Sequence, residues 1–79
     1  MEKDEMVGRL TPIFRNILAN ESLELTDELS AANVSNWDSL SHMLLITEVE
    51  NEFAIKFKLK DLNKMKNVGD MMTLIQSKL

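Results

Sequence analysis

The chain has 79 residues, 44% apolar and 28% charged, with a formal net charge of -4 and no cysteine. A polypeptide of this length makes one domain, residues 1–79, with a simple core, and lack of cysteine beside the single His42 excludes disulfides and a zinc centre. Residues 1–52 hold 11 acids and 3 bases while 53–79 hold 2 acids and 6 bases, so the molecule is electrically two-sided and too acidic overall for nucleic acid to be its partner.

The N-terminal Met1-Glu2-Lys3-Asp4-Glu5 is charged and acidic where a secretory signal would be basic and then apolar, so a cytoplasmic protein is expected. The N-x-S triplets at Asn20 and Asn33 are then chance matches to the glycosylation pattern. From about Lys3 to Ala19, Met6, Leu10, Ile13, Phe14, Ile17 and Leu18 recur at three- and four-residue steps, predicting a first helix with one buried stripe. Pro12 either kinks this helix or restarts it with Thr11 as cap. Asn20 to Trp37 has no sustained period. Its Leu23, Leu25, Leu29 and Val34 predict a long ordered loop pinned by apolar anchors.

Ser39 to Phe53 reads as a second helix capped by Asp38. Leu45, Ile46, Val49 and Phe53, with His42 one turn earlier, fit a core-facing seam; Leu40, Met43, Leu44, Thr47, Glu48 and Asn51 fall on another side. The surplus apolar residues there fit an exposed docking surface or one wide buried face, and the periodicity leaves both open. The longest apolar run, Met43 to Ile46, is four residues, far below the roughly 20 of a membrane span, so no membrane insertion is expected. Lys58 to Lys66 is lysine-rich, with Leu59, Leu62 and Met65 spaced for a short third helix. Asn67 then caps a fourth helix carrying Val68, Met71, Met72, Ile75 and Leu79, with Asp70 three residues past the cap. No segment alternates as a strand does.

Asp38-Ser39-Leu40 places a serine hydroxyl where loop becomes helix, which by itself is compatible with an ordinary helix-start residue. Behind it come the acid-tipped helix with Glu48, Glu50, Glu52 and Phe53, then Ile55, then Val68-Gly69-Asp70. In that order these landmarks resemble the acyl carrier protein family, whose Asp-Ser-Leu serine bears 4'-phosphopantetheine. The resemblance covers nearly the whole chain and is strongest from Trp37 to Ile75. It implies an all-α four-helix bundle with a long first loop and a short third helix. It also implies a covalent 4'-phosphopantetheine on Ser39, taken from coenzyme A, with Asp38 and Leu40 beside it and no catalytic residue. Leu40, Met43, Leu44, Thr47 and Glu48 become the partner-facing surface. The partners implied are a phosphopantetheinyl transferase and acyl-loading and acyl-processing enzymes. They would be served by a monomer that holds acyl intermediates as thioesters on a thiol the chain itself lacks.

Fatty-acid-synthesis carriers usually place an acid directly after this motif and keep the third helix acidic or neutral. Here Ser41 and His42 follow Leu40, Leu44 takes an often acidic place, and Lys56, Lys58, Lys60, Lys64 and Lys66 surround helix three. The pattern points to a carrier dedicated to one specialised lipid, polyketide or related pathway. An aminoacyl or peptidyl carrier, and a non-carrier helical module in which Ser39 is only a cap, remain the alternatives. Ser39 with His42 does not suggest a hydrolase, since a triad needs an oriented acid and an oxyanion hole and no elbow glycines flank the serine. Glu48, Glu50 and Glu52 diverge on a helix and match no calcium loop. Near a helix C-terminus each costs about 0.3 to 1 kcal/mol, which favours a partner-facing role over a purely solvated one. Met65, Met71 and Met72 read as core filler, pliable enough to line a variable guest.

Overall fold

A computed structural model describes residues 1–79 as four helices, α1 (Lys3–Ile17), α2 (Ser39–Phe53), α3 (Leu59–Leu62) and α4 (Val68–Lys78), with no strand. The all-helical bundle with a long first loop and a short third helix is therefore what forms. Met6, Leu10, Phe14 and Leu18 step by four along α1 and its C-cap and are buried, with Ile13 and Ile17 half-buried beside them. They meet Leu45, Ile46, Val49 and Phe53 of α2 and Val68, Met71, Met72 and Ile75 of α4 in one core. Side chains of this size each contribute about 1.5 to 3 kcal/mol when fully buried. Arg9 clamps α1 to the end of α2. Its guanidinium carbon lies 4.5 Å from the Phe53 ring centroid, Nε donates to Glu52 Oε2 at 2.8 Å, and Nη2 donates to the Glu52 carbonyl at 2.7 Å.

Pro12 does not restart α1, which runs through it. The carbonyl that loses its N–H partner belongs to Gly8, an exposed residue that water can reach. Thr11 is not a cap: its hydroxyl donates back to the Val7 carbonyl at 2.7 Å, as a helix-interior threonine does. The helix stops at Ile17, short of the expected Ala19, because Ala19 turns left-handed (φ 53°). The N–H groups of Asn20 and Ala19 then close back onto the Arg15 and Asn16 carbonyls at 3.0 and 3.3 Å.

The loop from Leu18 to Asp38 is held by backbone as well as by anchors. Leu23 and Val34 are buried, and Leu25 and Leu29 are half-buried against the core. The Asp27 and Leu29 carbonyls accept from the N–H groups of Gly69 and Val68 at 3.0 and 2.9 Å, donors that a helix start leaves unpaired. Asn67 Oδ1 accepts from the Asp70 N–H at 2.8 Å as the α4 cap, while Asp70 Oδ2 accepts from the Lys66 N–H at 3.1 Å. The crossing is tight at Gly69, where a Cβ would lie 3.1 Å from the Asp27 carbonyl oxygen and 3.2 Å from its Cβ.

The lysine-rich stretch makes only one helical turn. Leu59 is 77% exposed, and only Leu62 and Met65 reach the core. Buried Asp61 ties this turn down. Its Oδ2 accepts from the Lys58 N–H at 2.8 Å and meets Lys78 Nζ at 2.9 Å. The Lys58 N–H first, and Lys78 second, hold the Asp61 carboxyl below its ordinary value of 3.8.

The two glycines should respond oppositely to alanine. Gly8 has nothing within 4 Å of a built Cβ, so Gly8→Ala should stabilise by about 0.5 to 1 kcal/mol through helix propensity. Gly69→Ala should lose about 1 kcal/mol or more by overpacking, because the obstructing carbonyl is itself bonded to the Gly69 N–H. Urea titration of both variants checks the pair, and a gain at both positions would contradict the tight crossing. The pH dependence follows from Asp61. A carboxyl whose pKa is lowered by folding stabilises above its unfolded value and loses that contribution as pH falls through the folded one. Asp61→Asn should thus lower the Tm at neutral pH and flatten its decline below about pH 4; parallel acid limbs for the two proteins would exclude the effect.

Candidate functional site

The start of α2 is assembled by Trp37, Asp38 and Ser41, each with a different job. Trp37 is buried and meets Phe14 edge-on, with ring centroids 5.5 Å apart and planes at 81°. Asp38 is the N-cap in extended conformation, its Oδ1 accepting from the Ser41 N–H at 2.9 Å. Ser41 returns the bond, its Oγ accepting from the Asp38 N–H at 2.9 Å and donating to the Asn36 carbonyl at 2.7 Å. This is a capping box with serine in place of the usual Glu or Gln. The bond from Ser41 holds the Asp38 carboxyl below 3.8, so at neutral pH it is ionised at the positive end of the helix.

Ser39 is the first residue of α2, exposed, and its hydroxyl bonds to no protein group. Capping is done by its neighbours, which leaves Oγ free. An open cavity of about 600 Å³ adjoins it, lined by Ser39 with Ala31, Trp37, Asp38, His42, Met43 and Met65. A covalent arm fits these residues: the hydroxyl is accessible, unbonded, and placed at the wall of a cavity whose lining is part apolar and part polar.

Leu40, Met43 and Leu44 are 74%, 50% and 51% exposed, and Thr47 and Glu48 are exposed beside them. Of the two readings of the second stripe, the exposed one holds, while Leu45, Ile46, Val49 and Phe53 form the buried seam. The three glutamates separate. Glu50 Oε2 accepts from the Phe57 N–H at 2.8 Å and Glu52 pairs with Arg9, so Glu48 alone keeps an uncommitted carboxylate. Met71 and Met72 are core, and Met65 reaches both the core and the cavity beside Ser39. Sequence reasoning missed two contacts here: the Ser41 hydroxyl in the cap, legible as a residue three past Asp38, and a bond from Trp37 Nε1 to His42 Nδ1 at 3.1 Å. No cluster of His, Cys, Asp or Glu is arranged to hold a metal ion, and no helix is long and apolar enough to cross a membrane.

Fold and site together define a small helical domain that presents a free serine hydroxyl at the start of its second helix, beside an exposed apolar strip. No protein-family model matches the chain. It is 32% identical over 79 residues to the acyl carrier protein of Coprothermobacter proteolyticus, covering 100% of this chain and 96% of that one. It is 29% identical over 77 residues to the acyl carrier protein of Thermotoga maritima, covering 98% and 95% of the two chains. The meromycolate extension acyl carrier protein of Mycobacterium leprae is 28% identical over 74 residues, with 94% of this chain and 64% of that protein covered. Among solved structures, the solution NMR structure of holo acyl carrier protein from Geobacter metallireducens superposes with a TM-score of 0.85 at 49% identity, covering 91% of this chain and 83% of that chain. The chain belongs to the acyl carrier protein family.

The two serines of the site should separate cleanly in stability measurements. Ser41→Ala removes the reciprocal cap bond and should cost about 1 kcal/mol. Ser39→Ala removes no bond within the protein and should stay within about 0.5 kcal/mol of the parent. Chemical denaturation of both variants checks this, and an equal loss at the two positions would mean that Ser39 also serves the cap.

Proposed function

We propose that the 79 residues act as one acyl-carrier domain that bears 4'-phosphopantetheine on Ser39, carries acyl groups, and has no catalytic activity of its own. The observation that carries this reading is the free, exposed Ser39 hydroxyl at the first position of α2, with all capping assigned to Asp38 and Ser41. A module in which Ser39 served only as a cap would need that hydroxyl bonded.

A phosphopantetheinyl transferase would take the Ser39 proton, the Ser39 oxygen would form the new bond to phosphorus, and the pyrophosphate link of coenzyme A would break with release of adenosine 3',5'-bisphosphate. When bound, the arm supplies a terminal thiol that holds acyl groups as thioesters, which no side chain of this cysteine-free sequence can do. The chain's own part is geometric. Asp38 and Ser41 fix where α2 begins, and Leu40 lies next to the serine on the exposed side. Leu40, Met43, Leu44, Thr47 and Glu48 form the surface that the transferase and the acyl-loading and acyl-processing enzymes meet, apolar with a single free carboxylate. The exposed lysines at 56, 58, 60, 64 and 66 give this carrier a different charge pattern from one that is acidic throughout. This supports service to a dedicated lipid, polyketide or related pathway.

Incubation with coenzyme A and a broad-specificity transferase, followed by intact mass measurement, tests the reading. The parent should gain one prosthetic group and Ser39→Ala none, while Leu44→Ala should load several-fold more slowly with its Tm nearly unchanged. Labelling of Ser39→Ala would remove the serine assignment, and a Tm loss typical of an emptied core site in Leu44→Ala would remove the docking role.

A further inference from the structure

His42 follows Ser39 by three residues, on an adjacent position of the same helix, and lines the same cavity. Its Nδ1 accepts the indole N–H of Trp37 at 3.1 Å, with the two rings near parallel at 18°. That contact decides the tautomer. A nitrogen that accepts a hydrogen bond cannot carry the proton, so the neutral imidazole is protonated at Nε2. Trp37 is itself fixed, buried and edge-on against Phe14, so the imidazole is held by a rigid partner. Nε2 has no hydrogen-bond partner in the protein and is not sealed from solvent. The result is an N–H donor of fixed tautomer without an acceptor, on the wall of the cavity that Ser39 also lines.

We infer that His42 is a positioning residue for the prosthetic arm, its Nε2–H donating to the phosphodiester that joins the arm to Ser39. This rests on the proposed modification of Ser39. The phosphodiester is the first group beyond Oγ and the only anion of the arm, and the helix spacing puts His42 within reach of it. Of the residues lining the cavity, Asp38 is the one charged group, and its carboxylate accepts the Ser41 N–H. Asp38 does not donate to the phosphate, so among these lining residues His42 offers the unpartnered side-chain N–H. Partial burial lowers the His42 pKa from 6.5, so the neutral, donating form prevails at neutral pH.

Long-range proton–nitrogen NMR on apo and holo protein tests this, with intact mass confirming conversion by coenzyme A and transferase. In the apo protein His42 should show the single Nε2–H tautomer. In the holo protein its Nε2–H resonance should move downfield and its pKa should rise, since a nearby anion favours imidazolium. The phosphodiester has no titration of its own between about pH 5 and 8, so its phosphorus resonance should follow His42 in the parent and lose that inflection in His42→Phe. Trp37→Phe should give mixed tautomers and a smaller holo shift; if it does not fold, the His42→Phe comparison decides alone. Absence of the mass gain would overturn the carrier reading itself. A full mass gain with His42 and phosphorus resonances unchanged would overturn this inference and leave the carrier reading standing.

Discussion

The reciprocal bonding of Asp38 and Ser41 governs the site, because it sets the residue at which α2 begins. The buried seam of Leu45, Ile46, Val49 and Phe53 fixes the rotation of the helix about its axis, and the cap fixes its first residue. Each residue of a helix turns about 100° from the last, so both constraints are needed to give position 39 one direction. The cap residue Asp38 is extended and exposed, and Trp37 just before it is anchored in the core, so the chain passes from inward to outward between these two residues. Ser41 adds a second hold by donating to the Asn36 carbonyl, next to the left-handed turn at Asn36 (φ 70°).

A helix held this way at its start is held equally at its end. Ala54 is left-handed (φ 55°), the Ile55 N–H closes onto the Glu50 carbonyl at 3.1 Å, and Arg9 reaches the Glu52 carbonyl from α1. Between these ends α2 is apolar on two sides, and only one side is needed for the core. The outward strip of Leu40, Met43 and Leu44 is exposed and contributes little to the stability of the fold. The surplus hydrophobicity visible in the sequence is thus explained by surface, where a core explanation would have required a covering element that is absent.

Elements with a sustained period were legible. Met6, Leu10, Phe14 and Leu18 mark α1 because one stripe repeats over four turns, and Asn67 marks α4 because capping chemistry is local. The order of the loop was legible only in its apolar anchors. Its decisive bonds, from Val68 and Gly69 to Leu29 and Asp27, join backbone groups far apart in sequence, and backbone groups leave no trace in residue identity. Gly69 is the exception, since its missing side chain records the crossing. Helix three illustrates the opposite failure: Leu59 has the right spacing but points outward, because Asp61, its N–H and carboxylate both bonded, fixes a single turn in which that side faces water. At the site, Ser39 was found by motif, whereas the Trp37–His42 bond depends on an approach across a helix start that composition does not encode.

The uneven charge of the sequence survives folding in a sharpened form. Both acids of the basic segment, Asp61 and Asp70, are spent on backbone N–H groups, and Asp61 also pairs with Lys78. That leaves Lys56, Lys58, Lys60, Lys64 and Lys66 exposed without an ion pair. On α2, Glu52 is paired with Arg9, so the field around the serine-bearing helix is weaker than its count of acids suggests. Screening confines such fields to about 8 Å at physiological salt, so a docking surface senses mainly the groups it covers. The α2 strip itself therefore presents apolar surface and one free carboxylate, and the positive charge lies on the lysine-rich turn.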